Sequence, residues 1–128
     1  MRFHHLGIAT HDVTATSSVF ETVCDAPVVH REEFDGLTVR FLELDTGYLE
    51  LLSPVTENTV SRFLDRDGPG IHHVAFETPA LQSTLDSLAA NGVTLIDEDP
   101  RPGAWGHEVA FLHPDDTGGV LIELVAAD

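Results

Sequence analysis

Two segments of the sequence carry adjacent histidines at the start of an apolar run. They are "FHHLGIAT" at residues 3–10 and "GIHHVAFE" at residues 70–77. Imidazole nitrogens bind divalent metal ions and transfer protons near neutral pH, although a histidine in a strand is more often a packed core residue. The pattern of the neighbouring residues separates these roles.

Alternation along each strand predicts which histidine of a pair binds a ligand. Successive side chains of a strand point to opposite faces of the sheet. His5 and His73 share their faces with small neighbours, which leaves room for a bound group, whereas His4 and His72 share theirs with large apolar residues. We predict that His5 and His73 are ligands and that the other two pack. The remaining histidines lack this pairing and are expected on the surface, in turns or in a pocket: His11, His30, His107 and His113.

The two histidine segments belong to an internal repeat. Aligning "HHLGIATHDVTAT" with "HHVAFETPALQST" requires an offset of 68 residues. Further along, "VRFLELDTGYLELL" aligns with "VAFLHPDDTGGVLIELV", which places Phe41 on Phe111 and Glu50 on Glu123 at offsets of 70 and 73. The repeat therefore pairs two carboxylates as well as two histidines, and short insertions separate the matched strands.

The paired carboxylates complete a candidate metal site. Glu50 and Glu123 each lie in an otherwise apolar strand, where burying an uncompensated carboxylate is costly. A single strand glutamate usually lies on a solvated face, but repeat-matched acids and histidines indicate a shared role. Two imidazoles and two carboxylates suit a divalent ion that keeps open positions for water or substrate. We predict that His5, Glu50, His73 and Glu123 are the metal ligands.

Each half of the repeat is predicted to form a strand, a helix and three further strands. The tripeptide "DTG", which occurs in both halves, is expected to turn a hairpin in each. Capping residues set the predicted helix boundaries, which are Thr10 or Asp12 to about Cys24 and Thr78-Pro79 to Asn91-Gly92.

This pattern predicts one α+β domain over residues 1–128, built from two paired modules. Module one covers about 1–53, module two about 71–128, and a linker with a short helix covers about 54–70. Modules of about 60 residues are marginally stable alone. We therefore expect the two sheets to curve together, bury one face jointly and enclose a cleft.

The composition excludes several classes of partner. The chain has 22 acidic residues and six arginines, contains no lysine, and carries a net charge of -16. Nucleic acids and anionic membranes require a cationic surface, so neither is an expected partner. The dispersed acids favour a solvating surface adapted to high salt over a docking patch for a cationic partner. One cysteine, no long apolar run and no signal-peptide pattern at the start favour a cytoplasmic location.

Five segments of the chain resemble the methylmalonyl-CoA epimerases, a family of the vicinal oxygen chelate superfamily, which includes glyoxalase I. They span nearly the whole chain and read "HHLGIAT", "YLELLSP", "GPGIHHVAFE", "DEDPRPGAWGHEVAFLHP" and "TGGVLIELV". The histidine and glutamate motifs are specific only to the superfamily, whereas "PRPGA-G" and "FLHP-TGGVLIEL" are typical of the epimerases. The resemblance implies two βαβββ modules forming a curved sheet around a metal cleft, usually in a homodimer.

The resemblance also implies a reaction and its ligands. Its metal ligands match His5, Glu50, His73 and Glu123, and its metal is cobalt, manganese or a similar divalent ion. The implied activity interconverts (R)- and (S)-methylmalonyl-CoA by moving the proton at C2 through an enolate. Return of the proton to the opposite face requires a second acid, or one mobile group that reaches both faces.

The base departs from the family pattern. Family members with a "QGV"-like turn carry a glutamate in the third strand, where this chain has Val39. Glu43 lies four residues further along the same strand face, although it also fits an ordinary solvated residue. The candidate catalytic groups are therefore Glu123, Glu50 and Glu43, of which we favour Glu123.

Contacts to the acyl-CoA are expected from two glycine-rich loops and one arginine. Arg101 either pairs with the substrate carboxylate or a phosphate, or is an exposed loop residue. Gly106, Gly118 and Gly119 either offer backbone N–H groups to the cofactor portion or only serve turns. Asp115 occupies the place after "HP" where relatives often have a lysine, so that cationic phosphate contact is lost.

Three other functions fit the same fold. A lactoylglutathione lyase-like isomerase shares the metal and the proton transfer, but the C-terminal half resembles the epimerases more closely. An extradiol dioxygenase needs two histidines and one carboxylate around iron, so a fourth ligand at Glu50 disfavours it. A non-catalytic small-molecule-binding protein of this fold would not need the paired histidines and glutamates.

Overall fold

The computed structural model describes residues 1–128 and contains three α-helices and eight β-strands. In chain order the elements are β1 (Arg2–Ala9), α1 (Val13–Cys24), β2 (Val28–Phe34), β3 (Leu37–Leu44), β4 (Gly47–Pro54), α2 (Thr59–Asp67), β5 (Gly70–Thr78), α3 (Leu81–Ala90), β6 (Arg101–Pro102), β7 (Glu108–Leu112) and β8 (Ile122–Ala126). The α+β class and the two βαβββ modules agree with the prediction.

The chain divides into two compact units. The N-terminal unit consists of residues 5–72, and the C-terminal unit consists of residues 1–4 and 73–128. The boundaries between the units fall inside β1 and β5. The short helix predicted for the linker is α2.

The N-terminal unit is a mixed sheet with α1 against one face. Its strand order is β2-β3-β4-β1, in which β1 runs parallel to β4 and the other pairs are antiparallel. Asp12 caps α1 by accepting a hydrogen bond from the Ala15 N–H at 3.0 Å, which selects Asp12 over Thr10 as the cap. The apolar cluster between α1 and the sheet contains Ile8, Val13, Ala26, Leu42, Leu49 and Leu51.

The C-terminal unit repeats this design. Its strand order is β5-β8-β7-β6, with β5 parallel to β8 and the other pairs antiparallel. α3 lies against one face of the sheet, where the cluster contains Leu81, Leu85, Ala110, Leu112 and Leu124. β6 has only two residues, so the second module is the less regular copy.

The predicted start of α3 at Thr78-Pro79 is wrong by two to three residues. The helix begins at Leu81, after Ala80, and has no side-chain cap. Thr78 instead remains the last residue of β5, because its backbone carbonyl accepts from the Ala127 N–H at 2.9 Å. The predicted end of the helix agrees with the structure, since Asn91 is the C-cap.

None of the three helices combines the length and the apolar character that a membrane span requires.

Candidate functional site

In the N-terminal unit, β1 and β4 bring His5 and Glu50 together. The parallel register places Gly7 beside Glu50, so the side chain of His5 reaches the same face one pleat earlier. His5 Nε2 lies 3.3 Å from Glu50 Oε1, and the two side chains are only 3% and 7% exposed. The predicted ligands of module one therefore form a buried pair.

In the C-terminal unit, β5 and β8 bring His73 and Glu123 together in the same way. The register places Ala75 beside Glu123, which corresponds to Gly7 beside Glu50 in the other unit. His73 Nε2 lies 3.6 Å from Glu123 Oε1, with side chains 3% and 9% exposed. Each unit thus contains one of the two predicted histidine–glutamate pairs.

A phenylalanine borders each pair from the neighbouring strand. Phe41 of β3 lies opposite Glu50, and its ring meets the His5 ring edge-on at 5.7 Å between centroids. Phe111 of β7 lies opposite Glu123, and its ring meets the His73 ring at 5.9 Å. The alignment of Phe41 with Phe111 in the sequence repeat is therefore confirmed. Both rings shield an ionisable pair from water.

The other histidine of each doublet packs against an aromatic ring. His4 meets the ring of His107 edge-on at 4.8 Å, and His72 meets the ring of Phe63 at 5.0 Å. His107 also contacts Trp105 at 6.1 Å. Because neighbouring strand residues face opposite sides, each doublet supplies one residue to a buried pair and one to packing.

The donor atoms of both pairs suit a divalent ion. Protein nitrogen and oxygen ligands bind such ions at about 2.1 Å, so two adjacent ligands of one ion lie about 3 Å apart. The Nε2–Oε1 separations of 3.3 and 3.6 Å come close to this spacing. Buried imidazole and carboxylate groups are also among the donor types that divalent-metal sites use.

Glu43 has a different environment from the other two candidate catalytic carboxylates. It lies at the exposed end of β3 opposite Tyr48, beside a surface groove lined by Cys24 and Asp25. Glu50 and Glu123, in contrast, are buried.

Arg101 is held close to the pair of the C-terminal unit. Its Nε lies 3.1 Å from Asp97 Oδ1, and its guanidinium lies over the Phe111 ring at 5.2 Å from the centroid. The other carboxylate oxygen of Asp97 accepts from the Phe111 N–H at 2.9 Å. Arg101 is 46% exposed, so its position is fixed while its charge still reaches solvent.

The predicted glycines occupy turns. Gly106, Gly118 and Gly119 have φ angles of 72°, 74° and 88°, which other residues rarely adopt. A side chain at any of the three would meet no atom within 4 Å. Backbone conformation, rather than close approach to another group, accounts for glycine at these positions.

The N-terminal unit contains a second histidine–glutamate pair, on β2, which the sequence repeat does not indicate. His30 Nε2 lies 3.5 Å from Glu32 Oε1, and both side chains are 26% exposed. The His30 ring is 6.2 Å from the ring of Phe41, the residue that borders the His5–Glu50 pair. The alternation in "VHREEF" places these two residues on one strand face and could have revealed them.

Comparison with known families identifies the superfamily. The model of the Glyoxalase/Bleomycin resistance protein/Dioxygenase superfamily matches residues 4–111. The chain belongs to this superfamily. The resemblance described from sequence is therefore confirmed at this level.

Relatives and solved structures of this superfamily member cover almost its full length. It is 38% identical over 96% of its length to the uncharacterized protein YqjC of Bacillus subtilis, covering 90% of that protein. It is 34% identical to the ethylmalonyl-CoA/methylmalonyl-CoA epimerase of Cereibacter sphaeroides, covering 96% of each chain. A solved methylmalonyl-CoA epimerase in complex with methylmalonyl-CoA and NH4+ superposes with a TM-score of 0.93 at 34% identity, over 98% of this chain and 94% of that one.

Proposed function

We propose that the protein is a methylmalonyl-CoA epimerase, which interconverts the (R) and (S) forms by proton transfer at C2. The observation that carries this proposal is the buried histidine–glutamate pair repeated in both units of a chain that matches an epimerase end to end. Lactoylglutathione lyases share the superfamily, but the relatives named above that have an assigned activity are epimerases.

We further propose that His5, Glu50, His73 and Glu123 together hold one divalent ion, such as cobalt or manganese. Support comes from the donor types, from the spacing within each pair and from the superfamily. When bound, such an ion supplies Lewis-acid stabilisation of the negative charge that develops on the thioester oxygen.

The side chains of the chain itself account for the proton transfer. C2 lies between a thioester and a carboxylate, so loss of its proton leaves an enolate. Glu123 is our preferred base, and Glu50 is the equivalent carboxylate of the other unit. Exposure makes Glu43 the weakest of the three candidates. Phe41 and Phe111 limit the access of water to the buried carboxylates, which favours return of the proton from a protein group over solvent.

Arg101 is our candidate for binding an anionic part of the substrate. Its guanidinium is fixed by Asp97 beside Phe111 and is partly exposed. A guanidinium recognises carboxylate or phosphate through two parallel hydrogen bonds. The positive-φ loops at Gly106 and Gly118-Gly119 remain candidates for contacts to the CoA portion through their N–H groups.

As parts of the same proposal, the enzyme acts as a homodimer in the cytoplasm. Both follow from the resemblance and the composition, and sedimentation of the purified chain tests the first. A sedimentation coefficient corresponding to the 13.9 kDa chain alone would contradict the dimer.

Metal analysis combined with isotope exchange tests the function. Purified protein is expected to contain about one divalent ion per chain and to exchange deuterium from solvent into C2 of methylmalonyl-CoA. Ethylmalonyl-CoA is a second test substrate, and the hemithioacetal of methylglyoxal and glutathione is the control substrate. If the protein converts only the hemithioacetal, its activity is that of a lactoylglutathione lyase and not of an epimerase. If the protein contains the metal ion but catalyses no exchange, the epimerase activity is refuted and the proposed metal site is retained.

A further inference from the structure

Phe41 is the shared neighbour of two histidine–glutamate pairs in the N-terminal unit. Its ring lies 5.7 Å from that of His5 and 6.2 Å from that of His30. In the strand registers it lies opposite both Glu50 of β4 and His30 of β2. Since directly opposed residues share a sheet face, His30 lies on the same face as the proposed ligand Glu50.

Glu32 follows on this face. It lies two residues after His30 on β2, and its Oε1 is 3.5 Å from His30 Nε2. Both side chains are about three-quarters buried, so the carboxylate is positioned by its surroundings and still accessible to a bound molecule. The His30–Glu32 pair is therefore an ordered acid–base pair beside the predicted metal-binding residues of its unit.

Val39 lies directly opposite Glu32 in the β2–β3 hairpin. This is the position where the family pattern described above has a glutamate. The valine is fully buried and can neither donate nor accept a proton. In this chain the carboxylate is therefore Glu32 of β2, which lies directly across the hairpin from the β3 position where the family has its glutamate.

The C-terminal unit differs at the corresponding place. There the neighbour of the phenylalanine is Arg101, whose guanidinium lies over Phe111. Arginine stays protonated and does not accept a proton, so it suits the binding of an anion. Arg101 lies opposite Val109 as Glu32 lies opposite Val39, so at this position of the repeat the C-terminal unit has a cation instead of a carboxylate.

We propose that Glu32 is a catalytic acid–base residue that exchanges the C2 proton on one face of the substrate, with His30 as its positioning residue. This assignment rests on the proposed epimerase function. The ionised Glu32 carboxylate takes the proton from C2, and the electron pair of the C–H bond moves into the enolate. A second protein acid donates a proton to the other face and produces the opposite epimer. In the reverse direction the protonated Glu32 returns its proton to C2.

The test uses Glu32→Gln and, as a matched control, Glu33→Gln. Glu33 is the next residue of the same strand, points to the other face and accepts from the Thr38 hydroxyl at 2.9 Å. Both changes remove one negative charge. Epimerisation is expected to fall about 100- to 10,000-fold in Glu32→Gln, as for the loss of an acid–base group. Glu33→Gln is expected to remain within about twofold of the wild type, as an ordinary surface change.

Deuterium exchange from each pure epimer separates a catalytic from a structural role. Glu32→Gln should lose exchange into the epimer whose proton faces Glu32, and keep it in the other, which the second base still deprotonates. Adding Val39→Glu to Glu32→Gln should restore part of the lost exchange by placing a carboxylate on the opposing strand. For His30, turnover at saturating substrate should fall in His30→Leu and recover partly in His30→Gln, with little change in KM.

Each other outcome overturns the assignment. If Glu32→Gln keeps full activity, Glu32 is not the base. The same conclusion follows if exchange from both epimers falls equally and Val39→Glu restores none of it. Neither result contradicts the proposed epimerase function. A wild-type chain that exchanges neither epimer removes the proposed function and this assignment with it.

Discussion

His5 and Glu50 approach each other to 3.3 Å across neighbouring parallel strands, with a phenylalanine edge against the imidazole. His73 and Glu123 reproduce this arrangement at 3.6 Å in the other unit. The repetition extends to the strand register, in which a small residue two positions after each histidine lies beside the glutamate. Duplication of a whole βαβββ module, rather than independent placement of four residues, explains why the two pairs match.

The histidine doublets give a test of metal binding with internal controls. Addition of Co²⁺ or Mn²⁺ at about 100 times its dissociation constant should stabilise the chelator-treated protein by about 2.7 kcal/mol, or roughly 10 °C in melting temperature. His5→Ala and His73→Ala should abolish most of this shift. His4→Ala and His72→Ala should lower the melting temperature without metal, because they remove ring contacts, but retain the shift. An equal shift in all four variants would contradict the ligand assignment.

The sequence predicts the four proposed metal ligands because strand alternation and the internal repeat can both be read from the chain itself. Alternation fixes the face of each histidine, and the repeat identifies the matching glutamates, so no knowledge of the packing is needed. The His30–Glu32 pair was missed for a related reason. The repeat does not mark this pair, because in the second module the neighbour of the phenylalanine is Arg101.

The sequence predicts secondary structure and side-chain position less well where they depend on hydrogen bonds to residues far along the chain. Thr78-Pro79 has the pattern of a helix start, yet Thr78 stays in β5 because the chain beyond β8 donates a hydrogen bond to its carbonyl. Asp97, which holds Arg101 four residues further along, is likewise fixed by a hydrogen bond from the distant Phe111 N–H of β7. Tertiary hydrogen bonds override the local signal in both places.

Gly103 is predicted to be intolerant of even one methyl group. Its φ of -118° suits any residue, but a Cβ there would lie 2.8 Å from Cγ1 of the buried Val109. Gly103→Ala should therefore lower the free energy of unfolding by about 1–3 kcal/mol through overpacking. Urea denaturation measures this. The double variant with Val109→Ala should lose less stability than the sum of the single variants, since the methyl group fills the space; strict additivity would contradict the contact.

Asp116 is predicted to make stability depend on acid pH. Hydrogen bonds from the Thr94 side chain and from the Thr94 N–H, the latter at 2.8 Å, hold the pKa of Asp116 below 3.8. The folded state therefore binds this proton less readily than the unfolded state. The resulting stability is complete above the unfolded pKa and is lost as the pH falls through the folded pKa. In an NMR titration, Thr94→Val should raise the Asp116 pKa towards 3.8, and an unchanged value would contradict this cause.

The net charge of -16 is predicted to make stability depend on salt. Repulsion among the acidic side chains opposes the compact state, and molar salt shortens its range to about 3 Å. The melting temperature should therefore rise between 0.1 and about 2 M KCl. Asp65→Asn combined with Asp99→Asn, both exposed positions, should raise it at low salt and reduce the response to KCl. An uncharged osmolyte at matched osmolality controls for preferential exclusion, because it does not screen charge. A melting temperature that is insensitive to KCl, or an equal response in the neutralised variant, would refute electrostatic repulsion as the cause.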